Sequence, residues 1–161
     1  MELRSRSGYS LGVAGVVLLD ECVLLVRRLH EPNKGRWTFP SGYVGAAESI
    51  DEAAVREVLE ETGVRADVVG VVGLRNRVSP KDNNVVLFFL MHAREGEPVP
   101  DGEEVDAARY FSLAEALACP DFIELNKMVV RKVVANGGQP LLPAECPPTP
   151  GLLALRYVAF L

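Results

Sequence analysis

Three carboxylates, Glu57, Glu60 and Glu61, recur at i, i+3 and i+4. At 100° per residue a helix fans such side chains across roughly 100° of arc. Val55, Val58, Leu59 and Thr62 fall opposite them and give the helix an apolar side. Like charges one helical turn apart repel and cost stability. A divalent cation with hard oxygen ligands is the natural compensation, so the first expectation is metal-supported chemistry on an anionic substrate.

The helix that must position these acids is bounded in the sequence. Ser49 followed by Glu52 forms a capping box, in which the hydroxyl and the carboxylate each satisfy an orphan N–H. Gly63 stands where a left-handed C-terminal cap is wanted. The helix is therefore expected over 50–62. Before it, Pro40, Ser41 and Gly42, and then Gly45, Ala46 and Ala47, form a small-residue loop whose backbone can approach a ligand closely.

Gly42, Glu48, Arg56, Glu57, Glu60, Glu61 and Gly63, with apolar Val58 and Val64, match the pattern Gly-x5-Glu-x7-Arg-Glu-apolar-x-Glu-Glu-x-Gly-apolar over 42–64. This stretch resembles the signature of the Nudix hydrolases, and several residues at set spacing are far more specific than a lone glycine motif. The resemblance covers about residues 10–136 and implies an α/β/α sandwich with a mixed sheet. It also implies metal-dependent cleavage of a nucleoside diphosphate linked to another moiety, with Mg²⁺ or Mn²⁺ held by Glu57, Glu60 and Glu61. By the same analogy the backbone carbonyl of Ser41 is a further metal ligand. Glu48 is a metal ligand, a partner behind the ligands or a helix-start carboxylate favoured by the dipole. Arg56 orients the glutamates, or pairs with Glu52 on the surface.

The resemblance leaves the general base open between Glu57 and a later loop acid six residues before an aromatic. Glu104 stands six before Tyr110, with Glu103 beside it, and both also read as solvated loop acids. Arg28, Arg36, Trp37 and Gly42 flank the motif and are candidate substrate contacts. Arginine suits bidentate phosphate binding, and Trp37 either stacks on a base or fills the core. His30 and His92 show no metal-ligand spacing.

Substrate choice rests on less. A proline about 15 or 16 residues beyond the motif marks ADP-ribose hydrolases among the relatives, and Pro80 lies 16 after Val64. ADP-ribose or a nucleotide sugar is the lead, with nucleoside triphosphates or oxidised nucleotides next. A reading of another class is a non-catalytic Nudix-like sensor, but such domains usually lose the glutamates that are intact here.

The rest of the chain frames this motif. At 161 residues, with 48% hydrophobic and 24% charged, it fits one soluble domain able to bury a core. Seventeen basic against 22 acidic residues, net −5, give no basic stripe for nucleic acid. Three widely spaced cysteines without a C-x-x-C pair point to a reducing cytoplasm rather than to disulfides or zinc. The longest apolar runs, 13–19 and 85–91, are too short to span a bilayer.

Strands are expected at 10–19, 23–28, 37–39, 66–74, 85–93 and 105–111, and helices at 113–118 and 121–136. Polar 75–84 and 94–104 read as loops. The organisation is thus a catalytic domain over 1–136 and a tail over 137–161. The tail is a proline-rich spacer followed by an apolar end that packs on its own domain or on a second subunit, with a homodimer favoured.

Overall fold

Strand β1 (Gly8–Leu19) is the element around which the molecule is organised. The computed structural model describes residues 8–136 and the backbone of 143–145 and 156–160. A turn at Asp20, in the left-handed region with φ 52°, returns the chain into β2 (Cys22–Arg28). Short β3 (Trp37–Thr38) and β4 (Ser41–Tyr43) follow, then helix α1 (Ile50–Thr62). A long hairpin comes next, β5 (Arg65–Val78) and β6 (Asp82–Glu95), and then β7 (Val105–Ser112). Helices α2 (Leu113–Ala118) and α3 (Glu124–Asn136) complete the body, and β8 (Pro143–Glu145) and β9 (Arg156–Phe160) close the described chain.

The sheet runs β3-β2-β1-β6-β5-β9-β8, with β4 added on β1 and β7 on β2. It is mixed: β1 and β6 are parallel from Gly8↔Asp82 to Leu18↔His92, while the other named pairs are antiparallel. β1 meets β2 only at Leu18↔Val23 and Leu19↔Cys22, and then takes β4 as its neighbour at Gly12, Val13 and Ala14. The sheet therefore opens between β2 and β4, and the acids of α1 stand at that opening.

Alternation along the strands sends side chains to two cores. One unites Ala14, Val16, Phe88 and Phe111 with Phe122, Leu125 and Val129 near and on α3. The other unites Val13, Val17, Phe89 and Met91 with Ala53, Ala54 and Val58 of α1. Helices on both faces of one mixed sheet make the α/β/α sandwich that the motif implied.

Two expectations are corrected. The segment 75–84 is not a long loop: β5 and β6 pair through Arg75↔Val86, Arg77↔Asn84 and Val78↔Asn83, leaving a tight turn at 79–81. Arg75, Arg77 and Asn84 of this segment line a cleft, which is why polar residues stand on paired strands there. The last helix begins at Glu124, not at 121, because Phe122 is buried and forms a parallel bridge with Trp37.

Tail strand β9 pairs antiparallel with β5 of the same chain, from Leu74↔Phe160 to Val78↔Arg156. Of the tail expected over 137–161, residues 137–142 and 146–155, with most of its prolines, lie outside the described residues. No helix among the described residues is long and apolar enough to cross a membrane.

Candidate active site

Helix α1 starts and stops where its sequence dictates. The Ser49 hydroxyl accepts from the Glu52 N–H, and the Glu52 carboxylate accepts from the Ser49 N–H at 2.8 Å. Gly63 takes φ 69° and donates its N–H to the Leu59 carbonyl at 2.8 Å, a left-handed cap that only glycine adopts without strain.

The helix is rotated relative to the simple expectation of an apolar side opposite an acidic one. Its buried stripe is Ala53, Ala54, Glu57, Val58, Glu61 and Thr62, and Val55 and Leu59 are partly exposed. Glu61 is 1% exposed and Glu57 8%, so two of the three acids point into the fold. Polar partners waiting in the sheet opening explain the rotation.

Arg28, the last residue of β2, supplies most of that partnership. Its guanidinium donates to a Glu61 carboxylate oxygen, to the Ser41 carbonyl at 2.9 Å and to the Ser41 hydroxyl at 2.7 Å. The other Glu61 oxygen accepts the Ser41 N–H at 2.9 Å. Glu104, at the end of the loop before β7, lies 3.8 Å from Arg28 and is 67% exposed on its side chain. Asp101 fixes that loop by accepting the N–H groups of Glu103, Glu104 and Val105.

Arg56 ties the remaining acids together. It donates to Glu48 at 2.7 and 2.9 Å, to Glu57 at 2.7 Å, to Glu60 at 2.9 Å and to the Tyr43 carbonyl at 3.0 Å. The alternative pairing with Glu52 is not made, because Glu52 is occupied by the cap.

Electrostatics follow burial and partners. Burial pushes the Glu61 carboxyl up to about 7, against the pull of Arg28 and the Ser41 N–H. Burial also raises Glu57, with Arg56 opposing it. Glu48 is held down to about 2 by the Arg56 guanidinium and the Gly45 N–H.

Gly42 makes the close approach possible. A Cβ at that position would fall 2.2 Å from the Glu57 carboxylate. Glu57, Arg28, Ser41, Gly42, Arg56 and Glu104 all line one cleft of about 660 Å³, within the usual range for a small-molecule site.

Arg36 and Trp37 are not among the residues that line this cleft. The Trp37 ring packs edge-on to Phe111 at 4.8 Å, between the guanidiniums of Arg27 at 5.8 Å and Arg109 at 5.5 Å. Its register opposite Arg27 on β2 points it away from the opening. Sequence reasoning missed Arg75, Arg77 and Asn84, which form part of the cleft wall. Their alternate positions on paired strands were the available signal, hidden by reading 75–84 as a loop.

Among the described residues no three His, Cys, Asp or Glu side chains converge on one point, because the acids are turned onto Arg28 and Arg56. The donor set nevertheless fits a hard cation. Carboxylates of Glu57, Glu60 and Glu61 and the Ser41 carbonyl are oxygen ligands of the type Mg²⁺ and Mn²⁺ take. The space left by the missing Gly42 side chain keeps the Glu57 carboxylate beside them.

A mixed sheet between helices, opening onto a capped acidic helix beside a cleft, defines the class to which the chain is compared. Residues 9–133 match the NUDIX domain family, and the chain belongs to it. It is 30% identical over 106 residues to a protein named ADP-ribose pyrophosphatase from Methanocaldococcus jannaschii, covering 65% of this chain and 62% of the relative. It is 31% identical over 136 residues to Nudix hydrolase 8 of Arabidopsis thaliana, covering 81% of this chain but only 37% of that protein. The crystal structure of a MutT NUDIX hydrolase from Burkholderia pseudomallei superposes with a TM-score of 0.69 at 22% identity, covering 78% of this chain and 98% of that one. The last likeness establishes the fold.

Proposed function

We propose that this protein is a metal-dependent hydrolase of the pyrophosphate linkage in a nucleoside diphosphate joined to another moiety. The observation that carries this reading is the inward turn of Glu57 and Glu61, two buried acids lining or bordering a cleft of nucleotide-accommodating size. Buried carboxylates are expensive unless something compensates them. A bound Mg²⁺ or Mn²⁺ would offset substrate charge and lower the pKa of an attacking water.

The chain's own residues do the positioning. Arg28 fixes Glu61 and the Ser41 carbonyl relative to one another. Arg56 holds Glu48, Glu57 and Glu60 as one unit. Glu104, which lines the cleft 3.8 Å from Arg28 with an exposed side chain, is the candidate to activate water. Glu57 is the alternative base within the helix.

ADP-ribose or a nucleotide sugar is the lead substrate. The printed name of the Methanocaldococcus jannaschii relative supports it, as does Pro80 at its position beyond the motif, in the turn between β5 and β6. Assaying nucleotide sugars, nucleoside triphosphates and dinucleotides with Mg²⁺ and Mn²⁺ tests this. ADP-ribose should yield AMP and ribose 5-phosphate with higher kcat/KM than any triphosphate. A triphosphate favoured by about tenfold, some 1.4 kcal/mol in the barrier, reverses the ranking.

A further inference from the structure

Tyr43, the last residue of β4, lines the cleft and is 65% exposed. Its backbone is fixed on both sides. The Tyr43 carbonyl accepts from Arg56 at 3.0 Å, and the next N–H, that of Val44, donates to the Leu11 carbonyl at 3.0 Å. Arg56 also holds Glu57 and Glu60. The ring is thus carried by a stretch of backbone tied to the acids themselves. Among the described residues no other ring stacks on it and no guanidinium lies over it.

Register decides where this ring stands. Successive residues of a strand point to opposite faces. Gly42 pairs with Val13 and turns toward Glu57 and helix α1. Tyr43 pairs with Gly12, which in turn pairs with Val86 on β6. Side chains at such cross-strand positions share a face, and Val86 packs against the core that includes α3. The cleft takes in both sides, since Glu57, Gly12, Tyr43 and Val86 all line it. Between Tyr43 and Val86 the floor is bare backbone: a Cβ on Gly12 would fall 3.2 Å from both the Gly42 carbonyl and Val86. An open aromatic ring therefore borders a low apolar floor, one residue along β4 from the position that admits the Glu57 carboxylate.

We propose that Tyr43 is the base-stacking residue of the cleft, its ring taking one face of the substrate's nucleobase. The inference rests on the hydrolase reading above and assigns the nucleoside end of the substrate a place within it. A diphosphate held beside Glu57 would leave the attached nucleoside to cross β4 onto the Gly12 floor. Tyrosine suits that contact, because it offers a rigid flat area with only two side-chain torsions to fix. Stacking accepts any base, since every base has a π-face, so Tyr43 would supply affinity and orientation rather than choice among bases.

Calorimetric titration of AMP and turnover of ADP-ribose, both on the full chain with Mg²⁺, test this. Y43A and Y43L should each weaken AMP binding by about tenfold or more, the size expected for loss of a base–aromatic stack. Y43F should retain most of the wild-type affinity, because the ring stays. The loss in ADP-ribose hydrolysis should fall mainly on KM, as for binding shared by ground and transition states. Ribose 5-phosphate, which has no base, should inhibit wild type and Y43A to within about threefold of one another, well short of the loss expected for AMP. An AMP affinity unchanged in Y43A, an affinity kept by Y43L, or inhibition by ribose 5-phosphate that weakens as much as AMP binding overturns the stacking role while the hydrolase reading stands. AMP binding that falls in Y43A and Y43L but not in Y43F, without any hydrolysis of ADP-ribose, overturns the hydrolase reading alone. Neither AMP binding nor hydrolysis by wild type overturns both.

Discussion

The carboxylate of Glu57 occupies the space in which a side chain at position 42 would begin: a Cβ on Gly42 would lie 2.2 Å from it. Position 42 is on the sheet and Glu57 on the helix, so this contact sets how closely the acidic face approaches β4.

Gly42→Ala should therefore damage chemistry more than stability. The Glu57 side chain is flexible and can swing aside, which keeps the fold. Displacing a reacting group by about 1 Å costs on the order of 100-fold in rate. Turnover should fall by about that factor or more, while the melting temperature moves by only a few degrees, as a single mild substitution allows. A variant with wild-type kcat would show that Glu57 need not sit against residue 42.

Glu61 gives a pH signature. Its carboxyl is raised by burial to about 7 in the fold, against about 4.3 when unfolded. The neutral form is the one the fold favours. Its contribution to stability is thus fully present below about pH 4.3 and lost as pH rises through about 7. In chelator, wild type should lose stability relative to Glu61→Gln as pH is raised across that window. Added Mg²⁺ must displace the proton, so its stabilising effect should be larger at about pH 7.5 than at about pH 5.5. Thermal melts across pH, with and without Mg²⁺, check both statements. A Mg²⁺ shift that shrinks with rising pH would contradict them.

Glu104 and Glu103 separate the two candidate bases. Glu104 approaches Arg28, while Glu103 turns its backbone carbonyl to His30. Glu104→Gln should lower kcat with little change in KM, the pattern of an interaction made mainly in the transition state. Glu103→Gln should do much less. Steady-state kinetics with equal, small effects for the two would return the base to Glu57.

The capping box predicts a purely structural loss. Ser49→Ala removes the hydroxyl that accepts at the start of α1, worth about 1 kcal/mol. For a chain of this length that is a fall of about 2–4 °C in melting temperature. Rates at 25 °C should stay within about threefold of wild type if α1 keeps its place. An unchanged melting temperature would mean that Glu52 caps the helix alone.

How much of this was legible depended on whether local chemistry or tertiary contact decided the outcome. Helix α1 was readable to its ends because Ser49, Glu52 and Gly63 act within one turn of themselves. The paired strands β1 and β2 were readable because both are continuous apolar runs whose two faces feed the two cores. The rotation of α1 was not, since it depends on Arg28 reaching Glu61 from a strand 33 residues away. Nor were the ends of β5 and β6, where Arg75, Arg77 and Asn84 line a polar cleft and their composition imitates a loop. Trp37 stayed open between two readings for a related reason. An aromatic beside the motif fits stacking or packing equally well until the register with Arg27 places it against Phe111.

The most direct measurement is AMP formation from ADP-ribose by wild type and Glu61→Gln, with chelator and then with Mg²⁺ added back. The account predicts no turnover by wild type in chelator, saturable recovery with Mg²⁺ or Mn²⁺, and a loss of about 1,000-fold or more in Glu61→Gln, as for a group acting as one unit with its neighbours. Turnover by wild type that is indifferent to chelator, or full activity in Glu61→Gln, would contradict it.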